Sequence, residues 1–202
     1  MLNRLRAMLA GGGNSPSPLS DESPLQMYKG YELEDIEVVR RNAIDVARLL
    51  DDHYVDGFGV KTLFDCVPFL DPATLNTGRL QCPIPDDGFH AEGIEYVALL
   101  DAVERFAGGG TFCAVEAGAG WGPWLAMVGV VCMAKKVEHI RLIGLEASAE
   151  RFALMTRHLT FNHLDPEHGV AVDVFEGAVW SHDGVIHFPD SDLTDMGAAA
   201  TA

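Results

Sequence analysis

Apolar residues recur along this chain in two rhythms, and each rhythm predicts a different element. Over residues 32–54, Ile36, Val39, Ala43, Val46, Leu50 and Tyr54 fall at steps of three or four, the spacing of an amphipathic helix. Glu37 and Arg41 sit on its opposite side at i, i+4, a supportive pair, and Gly57 and Gly59 end it. A second helix is predicted around Tyr96, Val97, Leu100, Val103 and Phe106. The second rhythm is the short unbroken apolar run. Phe112–Val115, Ile140–Leu145 and Val170–Phe175 read as strands. Between them lie two helical stretches. Trp121–Lys136 has Pro123 in its first turn and Lys135 and Lys136 near its end. Arg151–His163 is capped by Ser148 and broken by Asp165-Pro166 and Gly169. After the third strand, an Asp183-Gly184 turn joins Ala178–Trp180 to Val185–Phe188 as a short hairpin.

Strand, helix, strand, helix, strand is the order of a parallel α/β sheet. The remaining chain is less regular. Residues 10–24 are small, polar and rich in Pro and Gly, so residues 1–30 read as a flexible segment. Residues 31–106 form a helical and loop region. Within it, residues 60–93 are irregular and long enough to suggest a lid. His90 and Glu92 close that loop, where either a cofactor-facing role or plain capping is open to them.

The first strand ends on Glu116 and runs into Gly118-x-Gly120-x-Gly122; the second ends on Glu146. A βαβ unit of this kind presents backbone N–H groups at its first turn and a carboxylate at the tip of its second strand. Both suit a cofactor containing a nucleoside, with the carboxylate accepting from the ribose hydroxyls. The dinucleotide fingerprint would place its third glycine at Pro123, one position beyond Gly122, and no Gly-Lys-Ser/Thr phosphate loop occurs. A turn that uses its glycines for geometry alone stays open.

Composition narrows the partners. The 202 residues carry a formal net charge of −16, which argues against nucleic acid as the acceptor and against an anionic membrane surface. Cys66, Cys82, Cys113 and Cys132 show no zinc spacing. Cys113, in a strand, and Cys132, in a helix, read as reduced core residues, which suits the cytoplasm. The eight histidines are scattered, so no metal site is expected. No apolar run reaches the ~20 residues of a membrane span. The start, with Arg4 and Arg6 and no long apolar stretch, is a poor secretory signal; a frayed terminus and an organelle presequence both remain open.

The order VEAGAGWGPW, IGLEAS, RFALMTRHLTFNHL and VFEGAVWSHDGVIHF resembles the FkbM-type methyltransferases dependent on S-adenosylmethionine (SAM). The likeness covers Phe112 to Phe188. It rests on Glu116–Gly122, Glu146, the Phe161-Asn162-His163-Leu164 tag, Ala178-Val179 and Asp183-Gly184. It implies a Rossmann-like methyltransferase domain over residues 107–202. It also implies SAM as cofactor and methyl transfer to a hydroxyl of a sugar or other small molecule. On that basis Gly118, Gly120 and Gly122 hold the methionine end, with Glu116 under its amine. Glu146 takes the ribose, and Glu176, Gly177 and Ala178 lie against the adenine. Trp121, between two of the glycines, is expected to narrow the pocket. The acidic strand that the family carries near its acceptor has no counterpart, so no base can be named. The expected sheet is incomplete: three parallel strands plus a hairpin, with an open edge that invites self-association. Two other readings stand beside the enzyme: a non-catalytic module completed by a partner, and an NAD-dependent sugar-modifying enzyme.

Overall fold

The computed structural model describes residues 33–80, 93–106, 109–185 and 187. It is an α/β structure with two small sheets. The parallel one is built from β4 (Thr111–Ala117), β5 (His139–Glu146) and β6 (Val170–Glu176), in the order β4-β5-β6. Register runs from Thr111↔His139 to Ala117↔Leu145, and from Ile140↔Val170 to Glu146↔Glu176. Helices α4 (Pro123–Ala134) and α5 (Ala149–Phe161) connect these strands. Alternate β5 residues Ile140, Leu142, Gly144 and Glu146 are buried, whereas Arg141, Ile143 and Leu145 are less so. Among the described residues, one face of the sheet is therefore covered by helices, while the other, with Val115 63% and Phe175 55% exposed, is open.

The three apolar runs become strands within a residue or two of their expected limits, and both connecting helices form. Ser148 caps α5 as its sequence predicts, its Oγ accepting from the Arg151 N–H at 3.4 Å. Helix α3 (Gly93–Arg105) also stands where its apolar positions place it, with Tyr96 and Leu100 fully buried. The core under the sheet takes residues from both halves of the chain. Val39 and Phe58 pack in the same cluster as Leu100, Leu125, Leu142 and Leu159.

Residues 32–54 depart from expectation. Helix α1 (Leu33–Arg41) stops after nine residues. A three-stranded antiparallel sheet follows, made of β1 (Arg48–Leu49), β2 (His53–Val55) and β3 (Lys61–Leu63). Short polar side chains explain the stop, because they offer the backbone partners outside a helix. Asn42 Nδ2 donates back to the Val38 carbonyl, and Asp45 Oδ1 accepts from the Val46 N–H. The Ile44 and Asp45 N–H groups both turn to the Gly57 carbonyl. Gly57 and Gly59 are part of a hairpin turn rather than a helix end: Asp56 Oδ1 accepts from the Phe58 and Val60 N–H groups, and Gly59 has φ +83°. Arg41 does not pair with Glu37. It makes a two-pronged bond to Glu104 of α3, at 2.8 and 2.5 Å, and Arg40 takes Glu37.

Within residues 60–93, β3 is followed by 3-10 turns at Phe64–Cys66 and Pro72–Thr74 and by the short α2 (Thr77–Leu80). His90 and Glu92 lie outside the described residues. So do Ile186 and Phe188 of the expected hairpin. Ala178–Trp180 forms no strand, and residues 181–184 form a bend. A two-stranded hairpin needs an apolar face to pack on, and Val179, Trp180 and Val185 are all exposed. Among the described residues, no helix is long and apolar enough to cross a membrane.

Candidate functional site

The carboxyl ends of β4, β5 and β6 bring the predicted residues together. The turn after β4 is tied to the tip of β5 by the Ala119 N–H, which donates to the Leu145 carbonyl at 2.9 Å. The turn after β6 is tied there too, the Gly177 N–H donating to the Glu146 carbonyl at 2.8 Å. Glu146 is 7% exposed and staples the arrangement with its side chain. Its Oε2 accepts from the Gly120 N–H and its Oε1 from the Ser148 N–H, each at 2.7 Å. A carboxylate has about four acceptor sites. Two are used here, leaving each oxygen able to accept once more.

The three glycines divide into two roles. Gly118 and Gly120 have φ +66° and +56°, and a Cβ built on either meets nothing within 4 Å. The same open space lies at Gly177. At these positions open space reaches down to the backbone. Gly122, at φ +73°, does something else. A Cβ there comes within 2.9 Å of Met155 Cγ, and one on Gly144 within 2.6 Å of Met155 Sδ. Gly122 therefore admits Met155 of α5 against the start of α4, and Gly144 admits it against the sheet.

Glu116 supports the helix that follows. Its Oε2 accepts from the Leu125 N–H, the third residue of α4, at 2.9 Å. Pro123, the first residue of that helix, has no N–H. Of the first three positions of α4, one thus has no donor and another gives its donor to Glu116, and a carboxylate stands among them. Glu176 and Ala178 are exposed at the end of β6, with Glu176 in register beside Glu146.

Trp121 corrects the sequence reading. It does not narrow the site. It is 3% exposed and packs into a second apolar cluster with Tyr54, Leu63, Cys66, Val67 and Leu80. It anchors the glycine turn onto the antiparallel sheet, edge-on to His158 at 4.9 Å. The Asn tag is structural as well. Asn162 Oδ1 accepts from the Lys61 N–H and Nδ2 donates to the Lys61 carbonyl, each at 2.8 Å, so the side chain pairs with β3 as a neighbouring strand would. Cys113 is exposed on the open sheet face, whereas Cys66 and Cys132 are buried, their thiols pushed up to about 12 by desolvation. Met155 and His158 carried no signal beyond their place in an apolar helical pattern. Comparison of the chain with protein-family models, with curated proteins and with solved structures returned no match.

Proposed function

We propose that this chain is a SAM-binding methyltransferase domain of Rossmann-like fold, related to the FkbM type. Its acceptor would be a hydroxyl of a sugar or other small molecule. The observation that carries the reading is the Glu146 carboxylate at the tip of β5, fixed by the Gly120 and Ser148 N–H groups beside the open backbone at Gly118 and Gly120. In this reading Glu146 receives the ribose hydroxyls on its remaining acceptor sites. Gly118 and Gly120 admit the methionine end. Gly177 and Ala178, with Glu176 beside them, border the adenine. Bound SAM supplies a methyl group already activated by its sulfonium. The chain's own contribution is alignment at the strand ends. The cysteine pattern suits a cytoplasmic setting.

The donor pattern of α4 favours SAM over NAD. A pyrophosphate is held by free N–H groups at a helix N-terminus. Here Pro123 lacks one, Leu125 gives its own to Glu116, and the Glu116 carboxylate repels a dianion but suits a cationic ligand. Titration calorimetry with SAM, S-adenosylhomocysteine and NAD tests this. We expect both sulfur ligands to bind more tightly than NAD. Glu146→Ala should remove about 1.5–3 kcal/mol of SAM binding, and Glu150→Ala almost none. Tighter NAD binding, or equal small effects of the two substitutions, overturns the reading.

One observation favours a partner-completed module as a second reading. The sheet face bearing Cys113, Val115 and Phe175 is uncovered and β4 stands at its edge. We take the partner to be a second copy of this chain, because β4 has no Lys, Pro or Gly to protect its edge and carries one charge, Glu116.

A further inference from the structure

His158 lies on α5, fully buried at 0% exposure, and is not among the residues the cofactor reading uses. Its Nδ1 is 3.1 Å from the Trp121 carbonyl oxygen, in the glycine turn. Its Nε2 is 3.0 Å from the Lys61 carbonyl oxygen, on β3. Carbonyl oxygens only accept. A neutral imidazole has one N–H, so one ring nitrogen would turn a lone pair toward a carbonyl at hydrogen-bond distance. Only the imidazolium donates to both.

We infer that His158 is a doubly protonated positioning residue that clamps the glycine turn of the candidate site to the antiparallel sheet. The parts it joins support this. Trp121 is seated in the apolar cluster of the antiparallel sheet, one residue after Gly120. Lys61 is held again by Asn162, one helical turn on from His158. The glycine turn is therefore fixed on one side by Glu146 and on the other by His158.

The ring's protonation is a balance. Burial disfavours the charged form, and two carbonyl acceptors favour it. The charged groups on the surrounding elements are largely committed. On β3, Lys61 Nζ lies 3.3 Å from His163 Nε2. On the 3-10 turn, Asp65 pairs with Arg157 of α5; Cys66 beside it stays a neutral thiol. Glu116 and Glu146 accept backbone N–H groups. On α5 itself, Glu150 and Arg151 occupy the first turn. On β6, Asp173 pairs with Arg141 of β5, and Glu176 is exposed. A proton held more tightly in the folded chain than at the free-histidine value of ~6.5 stabilises the fold below that value. The stabilisation is lost as pH rises through the folded value. The clamp, and with it the turn, should loosen on the alkaline side.

Ring nitrogen NMR on the full chain labelled at histidine tests this. We expect one histidine, absent from the spectrum of His158→Gln, to carry protons on both nitrogens at pH 7.5. We expect its wild-type unfolding midpoint to fall between pH 7 and 9 by more than that of His158→Gln. A single neutral tautomer at pH 7.5 overturns the inference, and the wild-type spectrum can be read even if the variant does not fold, because the through-space contact with the Trp121 ring, 4.9 Å away, identifies the His158 signal. The effect on ligand binding rests on the SAM proposal: SAM affinity of the wild-type chain should drop about tenfold once the ring is neutral, the value of one hydrogen bond. If SAM does not bind at any pH while the ring is doubly protonated, the cofactor reading fails and the clamp stands.

Discussion

At the scale of single residues, the glycine motif is two devices in one short stretch of sequence. Gly118 faces open space, so its left-handed backbone serves what approaches from outside. Gly122 faces Met155, so its lack of a side chain serves the fold. Alanine separates the two. Gly118→Ala incurs the backbone strain of a non-glycine residue at positive φ, about 1–3 kcal/mol. It also puts a methyl group into the open space beside the turn, so SAM affinity should fall by more than stability does. Gly122→Ala incurs the same strain and adds overpacking against Met155, about 1–3 kcal/mol more. Chemical unfolding of both variants, beside calorimetry on each, should show Gly122→Ala as the less stable and Gly118→Ala as the weaker binder relative to its stability. Equal ratios for the two would mean that the space beside Gly118 does not hold the cofactor.

At the scale of elements, α1 and α3 are joined by a polar clasp over an apolar contact. The Glu104 carboxyl is held below its ordinary range by the hydrogen bond from Arg41, against partial burial, with Asn42 and Lys135 adding to the effect. A depressed carboxyl binds its proton later in the folded chain than in the unfolded one. Its stabilisation is therefore present above the ordinary glutamate range and is lost as pH falls through and below it. Asp52 beside His53 and Asp165 beside His168 are shifted the same way. Stability should decline as pH is lowered from 6 toward 3, and Glu104→Gln should flatten part of that decline. A variant whose pH curve runs parallel to the wild type would remove Glu104 from the account. Elements differ in how far they were legible. The strands β4, β5 and β6 were readable because they are unbroken apolar runs, and α3 because its stripe is buried. The stripe over residues 32–54 was misleading: Val46 and Leu50 are exposed, and only Ile36, Val39 and Tyr54 reach the core. Asn42 and Asp45 redirected the backbone there, and periodicity counts apolar positions without weighing such partners. The clip from Asn162 to β3 spans about a hundred residues of chain, so no local pattern could announce it.

At the scale of the whole molecule, the parallel sheet is finished on one side only among the described residues. Parallel strands are ordinarily covered on both faces. Here Cys113, Val115, Ile143, Leu145 and Phe175 make an apolar surface interrupted by the Arg141–Asp173 pair. The uncovered face adjoins β4, whose outer edge offers a row of N–H and C=O groups. Antiparallel pairing of two β4 strands about Ala114 would set Thr111 against Ala117, Phe112 against Glu116 and Cys113 against Val115, so no like charges meet. The two apolar faces would then be continuous across a six-stranded sheet. Opposing this is the net charge of −16 on each copy, a repulsion that salt screens. The expected behaviour follows from that balance. Sedimentation should show self-association at micromolar concentration that strengthens from low to moderate salt, the reverse of an assembly held by ion pairs. Val115→Lys, at a position already 63% exposed, should leave the circular dichroism spectrum unchanged and shift the protein toward monomer. A wild-type chain that stays monomeric at all salt concentrations would sink the proposed partner. Association untouched by Val115→Lys would move the interface away from β4.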